Sequence, residues 1–214
     1  MKTIIERSRR RAPATTPQAL ACDGEYLWLS SRDLGTFYKA DRRTFEVVEE
    51  LDPPGVVWAA VATNSGWRLT IGKGLNDDRY VYGYDSSEGF VKLFACPEFA
   101  GSYLSYDGSH LYLSQWYKGE IHQLDDSGKI LRTIHVGPEI SGHTFAGGWL
   151  YVLRGTEQNG ESWTIAQIDP RQETAAVRDI ATIPFACRSL AFDGESFWTN
   201  HRAAGETVSF TLPE

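Results

Sequence analysis

One phrase recurs along this 214-residue chain. In residues 101–115, GSYLSYDGSHLYLSQ, apolar and polar positions alternate on both sides of Asp107-Gly108. Alternation marks a strand with one buried face, and Asp-Gly between two such runs is a strong signal for a tight hairpin. The phrase returns as ALACDGEYLWLSS at residues 19–31 and as SLAFDGESFWTNH at residues 189–201. Looser copies are VATNSGWRLTIGK, turning at Ser65-Gly66, and HTFAGGWLYVLR, turning at Ala146-Gly147.

The turns fall at positions 23, 65, 107, 146 and 193, spaced by 42, 42, 39 and 47 residues. A four-stranded propeller blade takes about 40–50 residues, so each interval is one blade. The 21 residues after Asp193 and the 23 up to Asp23 together make one more blade's length, split between the two ends. The expectation is an all-β, five-bladed β-propeller of four-stranded antiparallel blades forming a single domain over residues 1–214. Residues 2–7, KTIIER, would be the N-terminal strand that completes the last blade and closes the ring, since an open ring leaves edges unpaired. A β-sandwich with a fortuitous repeat is the competing form.

Charge and composition narrow the function. Lys and Arg number 21 against 28 Asp and Glu, for a net charge of −7, which argues against broad contact with a phosphate backbone and hence against a nucleic-acid partner. Ten Tyr, ten Phe and seven Trp suit packing between twisted blades. Cys22, Cys96 and Cys187 follow no metal-ligand spacing and read as free thiols. Residues 1–12 carry basic groups without an apolar run, so no signal peptide or membrane span is expected and the cytoplasm is the default location. The run RSRRR at residues 7–11 reads as a solvated connector into blade 1, with a nucleic-acid or anionic-surface contact as the alternative. Longer loops at residues 72–79 and 155–162 interrupt blades 2 and 4; Asp77 and Asp78 in the first are candidate metal ligands, though adjacent acids in a polar loop usually are simply solvated.

The repeated pattern apolar-x-apolar-Asp-Gly-x-x-Leu-Trp/Tyr-x-Ser resembles the propellers of the plant-type glutaminyl cyclase group. It is also similar to the wider superfamily of streptogramin lyases, NHL-repeat proteins and gluconolactonase-like enzymes. The resemblance covers nearly the whole chain and implies the fold. It implies little about activity. Gln18, in PQALACDG, stands where the cyclase motif Phe-Thr-Gln-Gly-Leu has its glutamine. Where that family carries a catalytic glutamate in blade 2, this chain has Trp58, Ala59 and Ala60. A family tryptophan in blade 3 is matched by Ser102 or Tyr103, and a family lysine in blade 5 falls near His201. The cyclase acid/base is thus missing, and no His/Glu set matches the metal site of streptogramin lyases.

Propeller ligand sites lie on the axis, where chains enter the innermost strands and leave the second strands. Five residues before each turn stand Gln18, Ala60, Ser102, Ser141 and Arg188; eight after it stand Ser31, Lys73, Gln115, Arg154 and His201. Arg32, Trp58, Tyr103, Trp116, His143 and Arg202 neighbour them. Convergent cations in a recessed mouth focus their field on an anion, and arginine binds carboxylate or phosphate through two parallel hydrogen bonds. The expected ligand is an anionic small molecule, with Gln18, Arg32, Trp58, Lys73, Tyr103, Gln115, Trp116 and Arg154 holding it.

Three classes of function fit. An enzyme of lyase, cyclase or hydrolase type would use His143 or His201 as acid/base and Arg188 to hold developing charge. A non-catalytic binder would use the same mouth. An interaction scaffold would use rim and loops. No nucleophile elbow, phosphate loop, dinucleotide fingerprint or zinc motif is present, and no cofactor, metal or oligomeric state is indicated.

Overall fold

Three of the five inner hairpins turn on an aspartate that serves two partners. In the computed structural model, which describes residues 1–74, 78–137, 139–155, 163–172 and 174–214, Asp23 Oδ1 accepts the amides of Glu25 and Tyr26 while Oδ2 accepts the Trp28 indole N–H at 2.7 Å. Asp193 repeats this with Glu195, Ser196 and Trp198. Asp107 caps Ser109 and His110 and bonds the phenol of Tyr112, which fills the tryptophan's place. The spacing between Asp-Gly and Trp/Tyr therefore follows from one carboxylate closing the turn and anchoring the second strand. The looser copies turn one residue away from the expected positions, at Asn64-Ser65 and Gly147-Gly148. The outer hairpins use the same device at Asp41, Asp85, Asp125 and Asp169, each capping following amides.

Five such units form a ring. Blade 1 runs Pro17–Cys22, Tyr26–Ser31, Phe37–Asp41, Val47–Leu51 from the axis outwards. Blade 2 is Val56–Thr63, Gly66–Gly72, Tyr80–Asp85, Gly89–Ala95, and blade 3 is Leu104–Tyr106, Leu111–Gln115, Glu120–Leu124, Ile130–His135. Blade 4 is Ile140–Ala146, Trp149–Arg154, Trp163–Ile168, Arg178–Ile183. Blade 5 has Arg188–Phe192, Phe197–His201 and Glu206–Thr211, and Ile5–Arg11 from the N-terminus supplies its fourth strand. Within the described residues, helix is confined to three short 3₁₀ turns.

The closure differs in register from expectation. The outer strand is Ile5–Arg11 rather than residues 2–7, so the arginines of RSRRR are part of the strand and not a connector. Arg9 is paired with Glu6 and Glu206, and Arg10 reaches the Thr44 carbonyl of blade 1. Lys2–Thr3 pairs instead in parallel with the outer strand of blade 4. Between the two stands Ile4, buried against Ile183 and Phe210.

Hydrogen bonds across blade boundaries hold the ring. Ser30 Oγ donates to the Val57 carbonyl, Thr70 Oγ1 to that of Ser102, and Ser189 Oγ to that of Gln18 at 2.6 Å. His143 joins blades 3 and 4. Apolar clusters fill the wedges: Trp28, Phe37 and Leu69 between blades 1 and 2, and Leu113, Ile121 and Val152 between blades 3 and 4. All three cysteines are free thiols, and burial pushes the Cys96 thiol up to about 12.

Candidate ligand site at the central mouth

The ladder between first and second strands is broken at the same end of four blades. Register shifts fall between Pro17 and Leu20, Val57 and Ala59, Ile140 and Gly142, and Arg188 and Ala191. Bulges re-aim side chains and are over-represented at sheet edges and beside active sites. Here the bulges lie at the strand entrances; in blade 1 a serine hydroxyl fills the missing ladder bond, Ser30 Oγ accepting the Ala19 amide, and in blade 3, whose ladder is unshifted, Ser114 Oγ accepts the Tyr103 amide just ahead of the first strand. In blade 5 Ser189 adopts the left-handed conformation, φ 59°, held by its hydroxyl on Gln18. A non-glycine residue there costs roughly 1–3 kcal/mol, a strain typical of functional sites.

At this end lies a recess of about 220 Å³. Each inner-strand entrance contributes to it: Gln18, Trp58, Ser102 with Tyr103, Ile140 and Arg188. The exits of second strands add Arg32, Trp116 and Arg202. Trp116 and Arg202 begin equivalent 3₁₀ turns, each ended by a glycine at positive φ, Gly119 and Gly205. Arg79, ahead of the third strand of blade 2, completes the lining. Of the residues expected from the sequence, Gln18, Arg32, Trp58, Tyr103, Trp116 and Arg188 therefore come together.

The lining is cationic, and most of it is braced. Arg202 donates to Gln18 Oε1, and Gln18 Nε2 donates to the Trp58 carbonyl at 3.3 Å. Arg188 Nη1 donates to Ser141 Oγ at 2.9 Å, and its guanidinium lies 5.5 Å from the Trp163 ring centroid. Arg79 donates to the Gly101 carbonyl and covers the Trp58 ring at 4.0 Å. The Arg32 guanidinium makes no hydrogen bond or ion pair among the described residues; only its backbone amide is engaged, on the Thr16 carbonyl. No Asp, Glu, His, Cys or Lys is among the described residues that line the recess.

The other expected residues stand elsewhere. His143 is buried between blades 3 and 4. Its Nε2–H donates to the Tyr103 carbonyl at 3.1 Å, which leaves Nδ1 to accept the Ser105 hydroxyl at 2.7 Å. Burial pushes its pKa down to about 4, against the opposing pull of the Tyr103 carbonyl. His201 stacks on Phe185 and accepts from Arg9 Nη1 at 3.1 Å. Burial and then the Arg9 charge hold it below the usual imidazole range, against Glu206 and Glu6. Gln115 is buried and holds residues 97–100 through the Pro97 and Ala100 carbonyls. Arg154 is paired with Asp179 at 2.9 Å. Lys73 is exposed and lines a separate recess beside Tyr80 and Lys92. Asp78 accepts the Lys73 amide, and Asp77 lies outside the described residues. Among the described residues no group of three or more His, Cys, Asp or Glu is placed to hold a metal, and no helix is long and apolar enough to cross a membrane.

Arg79 was not legible from the register, because it precedes a third strand rather than flanking the inner hairpin. Its one sequence signal would have been its place at the end of the long loop at residues 72–79; its stacking on Trp58 shows only in the structure.

Comparisons with known proteins agree with this architecture. No family model matches the sequence, and no curated protein matches it either. Solved structures do. The chain is similar to the glutaminyl cyclase of Myxococcus xanthus, with a TM-score of 0.69 at 13% identity over 99% of this chain and 98% of that one. It is similar to the PQQ-bound aldose sugar dehydrogenase of Streptomyces coelicolor, TM-score 0.60 at 12% identity over 95% and 97%. It is also similar to the Pan2 WD40 domain of Neurospora crassa, TM-score 0.60 at 10% identity over 100% and 98%. At such identities the likeness is one of fold: the chain is a five-bladed β-propeller, and fold alone does not assign a function.

Proposed function

We propose that this propeller binds a small anionic molecule at its central mouth, and that the mouth acts as a binding site rather than through histidine acid/base chemistry. The observation that carries this reading is the gathering of four arginines around one recess, without a carboxylate among its described lining residues, in a chain of net charge −7. A recess with one sign of charge and low-dielectric walls concentrates the opposite ion. At about 220 Å³ it lies below the roughly 300–1,000 Å³ of drug-sized sites, which favours a compact ligand. A lyase, cyclase or hydrolase run by His143 or His201 gains no support, since both rings lie outside the recess, His143 with both nitrogens bonded to blade 3 and His201 bonded to Arg9.

Thermal unfolding against a panel of carboxylates and phosphates tests the proposal. A ligand that binds only the folded state, present at 100 times its Kd, adds about 2.7 kcal/mol of stability. The expected result is a concentration-dependent rise in midpoint that Arg32→Gln abolishes without lowering the ligand-free midpoint, because the Arg32 side chain has no hydrogen bond or ion pair among the described residues to lose. A panel without a single shift would defeat the proposal.

A further inference from the structure

Two groups in the recess are left open by their surroundings. One is the Arg32 guanidinium, which has no partner among the described residues. The other is the Trp116 indole. Of the three aromatic rings in the lining, Tyr103 is buried and Trp58 is covered by Arg79, whereas Trp116 is 43% exposed. Its neighbour Tyr117 stands nearly perpendicular to it, with centroids 6.0 Å apart, so the two rings are not stacked face to face.

The wall that carries this ring is built rather than loose. Gln115, directly before Trp116, is buried and ties residues 97–100 to the second strand of blade 3. Its own Oε1 accepts His122 Nε2 at 3.2 Å. Lys118 binds both oxygens of Glu98 at 2.6 and 2.7 Å, and Tyr117 donates to the same carboxylate. Glu98 and Phe99 are both held at φ 55°, where bulky residues rarely sit. A large exposed apolar ring on a braced segment, facing a recess, is the feature expected of a ligand wall.

We infer that the ligand is a planar aromatic anion, its carboxylate or phosphate held by Arg32 and its ring laid against Trp116. This rests on the anion-binding reading above and adds the chemical class of the ligand's other half. A planar carboxylate matches the fork of a guanidinium, and an aromatic ring offers an indole face the stacking that a puckered aliphatic ring cannot.

The test compares benzoate with cyclohexanecarboxylate, which share charge and approximate size, and with inorganic phosphate, by calorimetric titration of the full chain. Benzoate should bind roughly threefold to tenfold tighter than cyclohexanecarboxylate, the usual worth of an aromatic pair. Trp116→Leu should bring that ratio to about one while leaving phosphate affinity unchanged, and Arg32→Gln should abolish binding of all three. Quenching of tryptophan emission by benzoate, lost in Trp116→Leu, places the ring. Equal affinities for the two carboxylates in the wild type would overturn the aromatic inference and leave the anion site standing. Absence of binding by every anion would overturn both. Ligand-free midpoints equal to wild type show that each variant is folded, as expected for one exposed ring and one unpartnered side chain.

Discussion

At the scale of single residues, the chain spends its polar side chains on the backbone of neighbouring strands. His143 is the clearest case, and its burial has a measurable consequence. Its folded pKa, near 4, lies below the ordinary value of 6.5. The unfolded state therefore binds a proton first as pH falls. The stability is intact above pH 6.5, declines between 6.5 and 4, and has lost this contribution below 4. The full loss for one buried group is on the order of 3 kcal/mol. Denaturant unfolding at pH 7 and pH 4.5 should show a smaller difference for His143→Gln than for wild type. The same residue shows why the site was only partly legible. Register fixes how far along a strand a residue lies, and the period-2 rule then assigns its face. The bulge between Ile140 and Gly142 breaks that parity one residue before His143. Gln115 and Arg154 share the fault in milder form: both lie at the right height but spend their side chains on Pro97 and Asp179. Gln18, Arg32 and Arg188 were legible because entrances and exits of strands face the mouth irrespective of parity.

At the scale of elements, the inner hairpins could be read from the sequence and the closing strand could not be placed accurately. An inner strand buries both faces or one, so its apolar pattern survives. In Ile5–Arg11, six of seven residues are exposed and the seventh is half-buried, so nothing in IERSRRR marks a face. The one apolar anchor, Ile4, lies just outside the strand. Two adjacent isoleucines should therefore behave oppositely. Ile4→Ala should cost about 2–4 kcal/mol in denaturant unfolding, as for other buried isoleucines. Ile5→Ala, at a position 47% exposed, should stay within about 0.5 kcal/mol.

At the scale of the whole molecule, the overall charge and the mouth oppose one another. A net charge of −7 repels an approaching anion at long range, while the arginines of the recess attract it at contact. Salt acts on the two at different distances. The screening length falls from about 30 Å at 0.01 M to about 10 Å at 0.1 M and about 3 Å at 1 M. Benzoate affinity should hold or rise up to roughly 0.1 M salt and fall beyond it; a steady decline from 0.01 M would mean that long-range repulsion plays no part. The ring that creates this field closes by pairing Ser8 with Ser209, 201 residues apart. During synthesis at about 5–20 residues per second, the closing strand must wait roughly 10–40 s for its partner to be made. Until then it lacks the strand it pairs with, and an unpaired strand is open to pairing with another chain. Arg7, Arg9, Arg10 and Arg11 give it a charge that resists that misassembly, and on the finished ring the same side chains guard an exposed outer edge.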